Sequence, residues 1–205
     1  MQKTVRTAEK ALSDADSVLA ELIERHGPCT LFEENSLIHK TPYHVLVWAI
    51  INQQLSVASA ASIESKLKQL LQHEDYEVSA INVCTDQALS ACGLSRQKIR
   101  YLRALSAAVI DEEIQLENFD QLENTDIANI LTTIPGIGPW TVDMFLMFSL
   151  GRLDVLPLGD LALRKSIALH YEFPADACVE TYHQVANRWR PYRTISSWYL
   201  WAAVD

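Results

Sequence analysis

A break between two helical patterns constrains this chain most. Ile127, Ile130, Leu131 and Ile134 recur at the spacing of one apolar helix face, and Val142, Phe145, Leu146 and Leu150 resume such a face further on. Between them stand Pro135, Gly136, Ile137 and Gly138. Two glycines in four residues permit positive φ and leave the backbone bare, so a ligand can approach main-chain N–H groups. Pro139 suits the first turn of the second helix, where its missing N–H costs nothing. A tight hairpin ending in a helix N-terminus is a good anion site, because unpaired N–H groups and the helix dipole point the same way. A DNA phosphate fits such a site. An ordinary interhelical turn would carry the same four residues, so the hairpin alone does not decide the matter.

No segment alternates as a strand, and helical periodicity recurs with turn signals between the helices. The expected fold is all-α with about ten helices: Ala8–His26, Pro42–Gln54, Val57–Gln72, Thr85–Ala91, Arg96–Glu113, Thr125–Ile134, Pro139–Leu150, Leu161–Tyr171, Ala177–Trp189 and Ile195–Ala203. A length of 205 residues with 49% apolar content suits one compact protein of one or two small domains. The longest apolar runs, around Val45–Ile51 and Met144–Phe148, fall far short of a membrane span, so no membrane partner is expected. The first residues carry no apolar signal core, which points to an intracellular protein.

Cys29, Cys84, Cys92 and Cys178 are scattered without a C-x-x-C pair, and the six histidines lack metal-ligand spacing. Free thiols and no intrinsic metal site are therefore expected. The net charge of −9 is awkward for a DNA-binding protein, since phosphate neutralisation dominates affinity. Clustering offers one way round: Arg96, Lys98, Arg100 and Arg103 lie together, Arg164 and Lys165 follow Asp160, and Arg188, Arg190 and Arg193 lie near the C-terminus. A basic cleft on an acidic body would result. Solvated helix faces would produce the same sequence.

Several ordered blocks join the hairpin: residues 14–31, Ile50 to Ala61 with its Asn52-Gln-Gln-Leu-Ser56 corner, Gly93-Leu-Ser-Arg-Gln-Lys98, Leu158-Gly-Asp160, and Arg190 to Trp201. Together they resemble the helix-hairpin-helix DNA glycosylase superfamily, HhH-GPD, in its 3-methyladenine DNA glycosylase II branch. The resemblance implies a two-lobed fold. A central lobe of residues 41–158 would carry the hairpin, a second lobe would comprise 1–40 and 159–205, and a catalytic cleft would lie between them. It also implies a monofunctional glycosylase acting on alkylated purines in double-stranded DNA, for base excision repair. Asp160 matches the catalytic carboxylate, Trp140 and Trp201 the base pocket, and Ile134 to Gly138 the phosphate-binding hairpin. Gln54, with Leu55 and Ser56, matches the plug that fills a vacated base stack, and Leu94 with Ser95 a second minor-groove contact. A monovalent cation at the carbonyls of residues 134 and 136 is implied as well. Only Cys178 lies where relatives carry a four-cysteine iron–sulfur motif, so no cluster and no other cofactor is expected. The protein is expected to act as a monomer, in the cytoplasm or nucleoid of a bacterium or the nucleus of a eukaryote.

These assignments agree with the chemistry of the side chains. A carboxylate facing the sugar stabilises oxocarbenium character and can orient water. Asp160 would equally serve as a helix N-cap, as Gly159-Asp160-Leu161 is a good capping sequence. Trp140 stands where bifunctional relatives carry a lysine, and an indole cannot form a Schiff base. Aromatic faces attract a positively charged alkylated base by roughly 0.5–2 kcal/mol. Both tryptophans could instead be core residues, and the Gln54 corner a plain helix junction. Two rivals remain open: a sibling glycosylase for oxidised or deaminated bases, and a non-catalytic helix-hairpin-helix DNA-binding module.

Overall fold

The computed structural model describes residues 2–174 and 176–204, and among these it is all-helical, with twelve α-helices and three short 3-10 helices. The chain forms two compact units: residues 40–150, and residues 1–39 with 151–205.

The 40–150 unit is built round α3 (Pro42–Asn52), in which Tyr43, His44, Val45, Leu46, Val47, Ala49, Ile50 and Ile51 are all buried. A helix apolar on every side needs cover on every side. α9 (Pro139–Phe148), equally apolar, supplies much of it, with α4 (Val57–Leu71), α7 (Arg96–Ile110) and the 3-10 turn Leu116–Gln121. Thr41 caps α3, its hydroxyl accepting from the His44 N–H, ahead of Pro42 at the first helical position. Two short helices, α5 (Val78–Val83) and α6 (Asp86–Ala91), pack on α7, and α8 (Asn124–Leu131) leads into the hairpin.

α5 had no signature in the sequence. It spans six residues, and Glu77 at its N-cap makes no side-chain capping bond. Its C-terminal carbonyls are instead held from outside. Arg103 donates from Nη1 to the carbonyls of Ile81 and Asn82, and from Nη2 to that of Cys84 and to Asp86.

In the other unit, α12 (Arg193–Ala202) packs against α1 (Gln2–Ala15), α2 (Ser17–His26) and α10 (Leu161–His170), while α11 (Val179–Ala186) adjoins the 3-10 turn Asn187–Trp189. Periodicity predicts one continuous helix from Ala8 to His26, but the chain breaks at Asp16. That residue is extended (φ −150°), and its Oδ1 accepts from the N–H groups of Val18 and Leu19. The reason is tertiary: Oδ2 accepts from Tyr171 Oη at 2.9 Å and Trp189 Nε1 at 3.0 Å, so the carboxylate sits buried at the junction of three segments. The split of this helix and the unforeseen α5 account for twelve α-helices where about ten were expected.

The boundary after the hairpin also differs from the expected Leu158. Residues 151–158 belong with the 1–39 segment because α12 straps them down. Thr194 donates its N–H to the Leu153 carbonyl and its hydroxyl to that of Arg152, and it accepts from the Val155 N–H. Arg193 Nε and Arg190 Nη1 pair with Asp154 at 2.5 and 2.6 Å.

Asp16→Ala should destabilise the protein by roughly 3–5 kcal/mol, because it removes a cap and leaves the Tyr171 and Trp189 donors buried and unpaired. Asp16→Asn, which keeps the capping oxygen, should lose less. Urea unfolding of both variants measures the difference.

Candidate active site

Asp160 is delivered by a turn in which its N–H bonds to the Pro157 carbonyl at 2.9 Å. It is extended (φ −81°, ψ 121°) and caps α10, Oδ1 accepting from the Leu163 N–H at 2.8 Å. The same oxygen accepts from Trp201 Nε1 at 3.0 Å. Asp160 and Trp201 are thus directly bonded, and the indole orientation is tied to the carboxylate. The Thr194 and Arg193 contacts that hold residues 152–155 on α12 also fix the loop carrying Asp160 against the helix carrying Trp201.

The hairpin lies in the 40–150 unit. Ile134 and Ile137 are buried and anchor it from within, the Ile137 N–H bonding to the Ile134 carbonyl at 3.1 Å. The two glycines differ in kind. Gly136 has φ +92°, and a Cβ built there would lie 2.0 Å from Cγ of Tyr101, so the backbone rests directly on that ring. Gly138 is ordinary extended backbone (φ −108°) and caps α9 without a side chain, and a Cβ there would meet nothing within 4 Å. Pro139 opens α9, and Trp140, half-buried, stands in its first turn. One turn later, burial pushes the Asp143 carboxyl up to about 7, so it is part-protonated near neutrality.

At the corner between α3 and α4, Gln53 closes α3, and Gln54 adopts a left-handed conformation (φ +55°). A non-glycine residue there costs about 1 kcal/mol or more. Gln54 and Leu55 are exposed, Leu55 by 39%, and Ser56 caps α4 through the Ser59 N–H. The second expected contact divides. Ser95 is exposed and caps α7, but Leu94 is only 2% exposed. Leu94 belongs to the core of its unit, because the turn that brings Ser95 to the surface points the preceding apolar residue inward. It is not presented for a groove.

The expected basic cluster is largely spent on the protein itself. Lys98 Nζ donates to the carbonyls of Ile51 and Gln53 at 2.6 and 2.9 Å, and desolvation lowers its proton affinity. Arg103 holds α5, Arg190 and Arg193 hold Asp154, and Arg188 lies 3.7 Å from Asp16. Lysine and arginine counts alone do not distinguish such carbonyl clamps from phosphate ligands. Tyr101 belongs to no recognisable chemical pattern, and Gln53, though part of the expected Asn52-to-Ser56 corner, carries no sequence signal of its bond to the hairpin.

With this geometry in place, comparison with known proteins is decisive. Residues 47–191 match the HhH-GPD superfamily of base excision DNA repair proteins. The chain belongs to that superfamily. It is 29% identical to the alkylbase DNA glycosidase-like protein mag2 of Schizosaccharomyces pombe, over 96% of this chain and 92% of that protein. The solved structure of the 3-methyladenine DNA glycosylase Mag1 of the same yeast, in complex with abasic DNA, superposes with a TM-score of 0.85 at 31% identity, covering 95% of each chain. A DNA-3-methyladenine glycosidase from Bacillus halodurans superposes with a TM-score of 0.73 at 32% identity, over 95% of this chain and 87% of that one.

The two hairpin glycines should separate in experiment. Gly136→Ala should destabilise this HhH-GPD protein by roughly 2–5 kcal/mol, through strain at positive φ and overlap with Tyr101. Gly138→Leu should keep the melting temperature and weaken binding to damaged and undamaged duplex alike, because phosphate contacts carry no sequence information. Thermal melts and fluorescence anisotropy measure the two effects.

Proposed function

We propose that the protein is a monofunctional DNA glycosylase that removes alkylated purines of the 3-methyladenine kind from duplex DNA, acting as a monomer without a cofactor. The observation that carries this reading is the Asp160 carboxylate, at the N-terminus of α10 and bonded to the Trp201 indole. The two S. pombe relatives, an alkylbase glycosidase-like protein and a 3-methyladenine glycosylase, support the substrate class.

In this mechanism the hairpin N–H groups grip a phosphate of the lesion strand. The carbonyls of Ile134 and Gly136 are the hairpin groups that would hold a monovalent cation beside it. Each already accepts one hydrogen bond, and a carbonyl oxygen has a second lone pair to offer. Gln54 fills the vacated stack, with Leu55 beside it and Ser56 and Ser95 at the groove; Trp201, bonded to Asp160, offers the lesion one aromatic face, and Trp140, at the start of α9, is the other aromatic residue assigned to the base. The bond from the base nitrogen to C1′ breaks and its electron pair leaves with the base. Water adds to C1′ and gives up one proton to bulk solvent, while Asp160 stabilises the developing sugar cation and orients that water. A base alkylated at a ring nitrogen is already a good leaving group, so a modest pocket can discriminate. Trp140 has no amine to attack C1′, which supports the absence of lyase chemistry.

Asp160→Asn retains an oxygen for the α10 cap and for Trp201 but removes the charge. It should keep fold and DNA affinity while lowering single-turnover release of bases from methylated DNA by roughly 10²–10³-fold. Unchanged release by the folded variant would remove Asp160 from the mechanism. Borohydride should trap no protein–DNA adduct, and strands should break only after alkali. A specific trapped adduct would show an amine nucleophile and overturn the monofunctional reading.

A further inference from the structure

Gln53, the neighbour of the proposed plug, has its side chain turned away from the exposed corner and into the hairpin. Its Nε2 donates to the Gly136 carbonyl at 2.9 Å and to Thr141 Oγ1 at 2.9 Å. One carboxamide thus bridges the apex of the hairpin and the first turn of α9. Its own backbone carbonyl is held by Lys98, which also holds that of Ile51, so the end of α3 is fixed from the α7 side. Tyr101, one turn along α7 from Lys98, is the ring on which Gly136 rests. The corner, the hairpin and α7 therefore meet in one closed set of contacts within a single unit. The residue immediately after this junction is Gln54, in its strained left-handed conformation.

We infer that Gln53 is a positioning residue that couples the hairpin's grip on phosphate to insertion of Gln54 into the base stack. The inference rests on the hairpin and plug roles proposed above. Both donors of one amide are satisfied by two different parts of the hairpin motif, so the corner cannot shift without breaking a bond to it. A hairpin seated on phosphate then fixes where the α3 end lies, and the left-handed turn at Gln54 sets the direction of its side chain from that point. Coupling of this kind makes two substitutions non-additive when they act through one step. A merely structural glutamine would instead weaken the fold and leave the plug's own contribution intact.

The test uses the full chain and a duplex with 2-aminopurine beside a tetrahydrofuran site, whose fluorescence rises when the stack opens round an inserted side chain. Anisotropy on an undamaged duplex reports the phosphate grip separately. Gln53→Met keeps side-chain length without the donors, and Gln53→Asn keeps an amide too short to reach both acceptors. At saturating protein, each should bind undamaged duplex within about twofold of the unaltered protein yet lose about threefold or more of the fluorescence rise. Adding Gln53→Met or Gln53→Asn to Gln54→Ala should lower the signal no further. A full fluorescence rise in a folded variant, or losses that multiply in the double variant, overturns the coupling while leaving the glycosylase reading in place. If Gln53→Met does not fold, Gln53→Asn carries the same comparison. Failure of the unaltered protein to bind either duplex would overturn the glycosylase reading itself, and the coupling with it.

Discussion

The burial of α3 is the constraint on which the 40–150 unit depends. Eight of its eleven residues are buried, so it offers no face to water, and the helices round it are placed by the need to cover it. Covering α3 with α9 brings the start of α9, and with it the hairpin, beside the end of α3. That end cannot be left bare, because its last carbonyls have no partners within the helix. Lys98 supplies the missing donors as an ammonium at the negative pole of the helix dipole. The apolar burial that stabilises the unit thus also sets up the polar contacts round the corner and the hairpin.

In the other unit the organising contacts are polar. Asp16 receives two backbone N–H groups, a phenol and an indole, and Glu9 Oε1 accepts from the Cys29 N–H and the Tyr199 hydroxyl. Burial and the nearby Glu9 carboxylate push the Tyr199 phenol well above its ordinary range, so it stays a donor. Such bonds add little net stability when made but are expensive to leave unmade. They therefore fix which segments meet more than how tightly they are held.

Much of the fold was legible in the sequence because helical periodicity is a local signal. The α3, α4, α9, α10 and α12 segments all declare an apolar face or a capping residue. What escaped was settled by distant partners. The break at Asp16 depends on Tyr171 and Trp189, α5 on Arg103, and the course of residues 151–158 on Thr194. The candidate site divides in the same way. Asp160 and the hairpin stand out as patterns, but only coordinates show that Trp201 bonds to Asp160, that Leu94 is buried, and that Lys98 serves a carbonyl rather than a phosphate.

The capping bond at Asp160 has a consequence for how such a chain can change over generations. Reactive groups commonly sit at a disadvantage to the fold that holds them, so selection for function and selection for stability pull apart. At this position they pull together. The group proposed for chemistry also satisfies the orphan N–H of Leu163 at the start of α10 and the indole of Trp201. Drift to an apolar residue would meet resistance from the fold alone. A descendant that no longer excised bases would still be held to the short list of residues able to cap, with aspartate among them. An aspartate retained at the head of this helix is therefore a record of the architecture first and of the activity second.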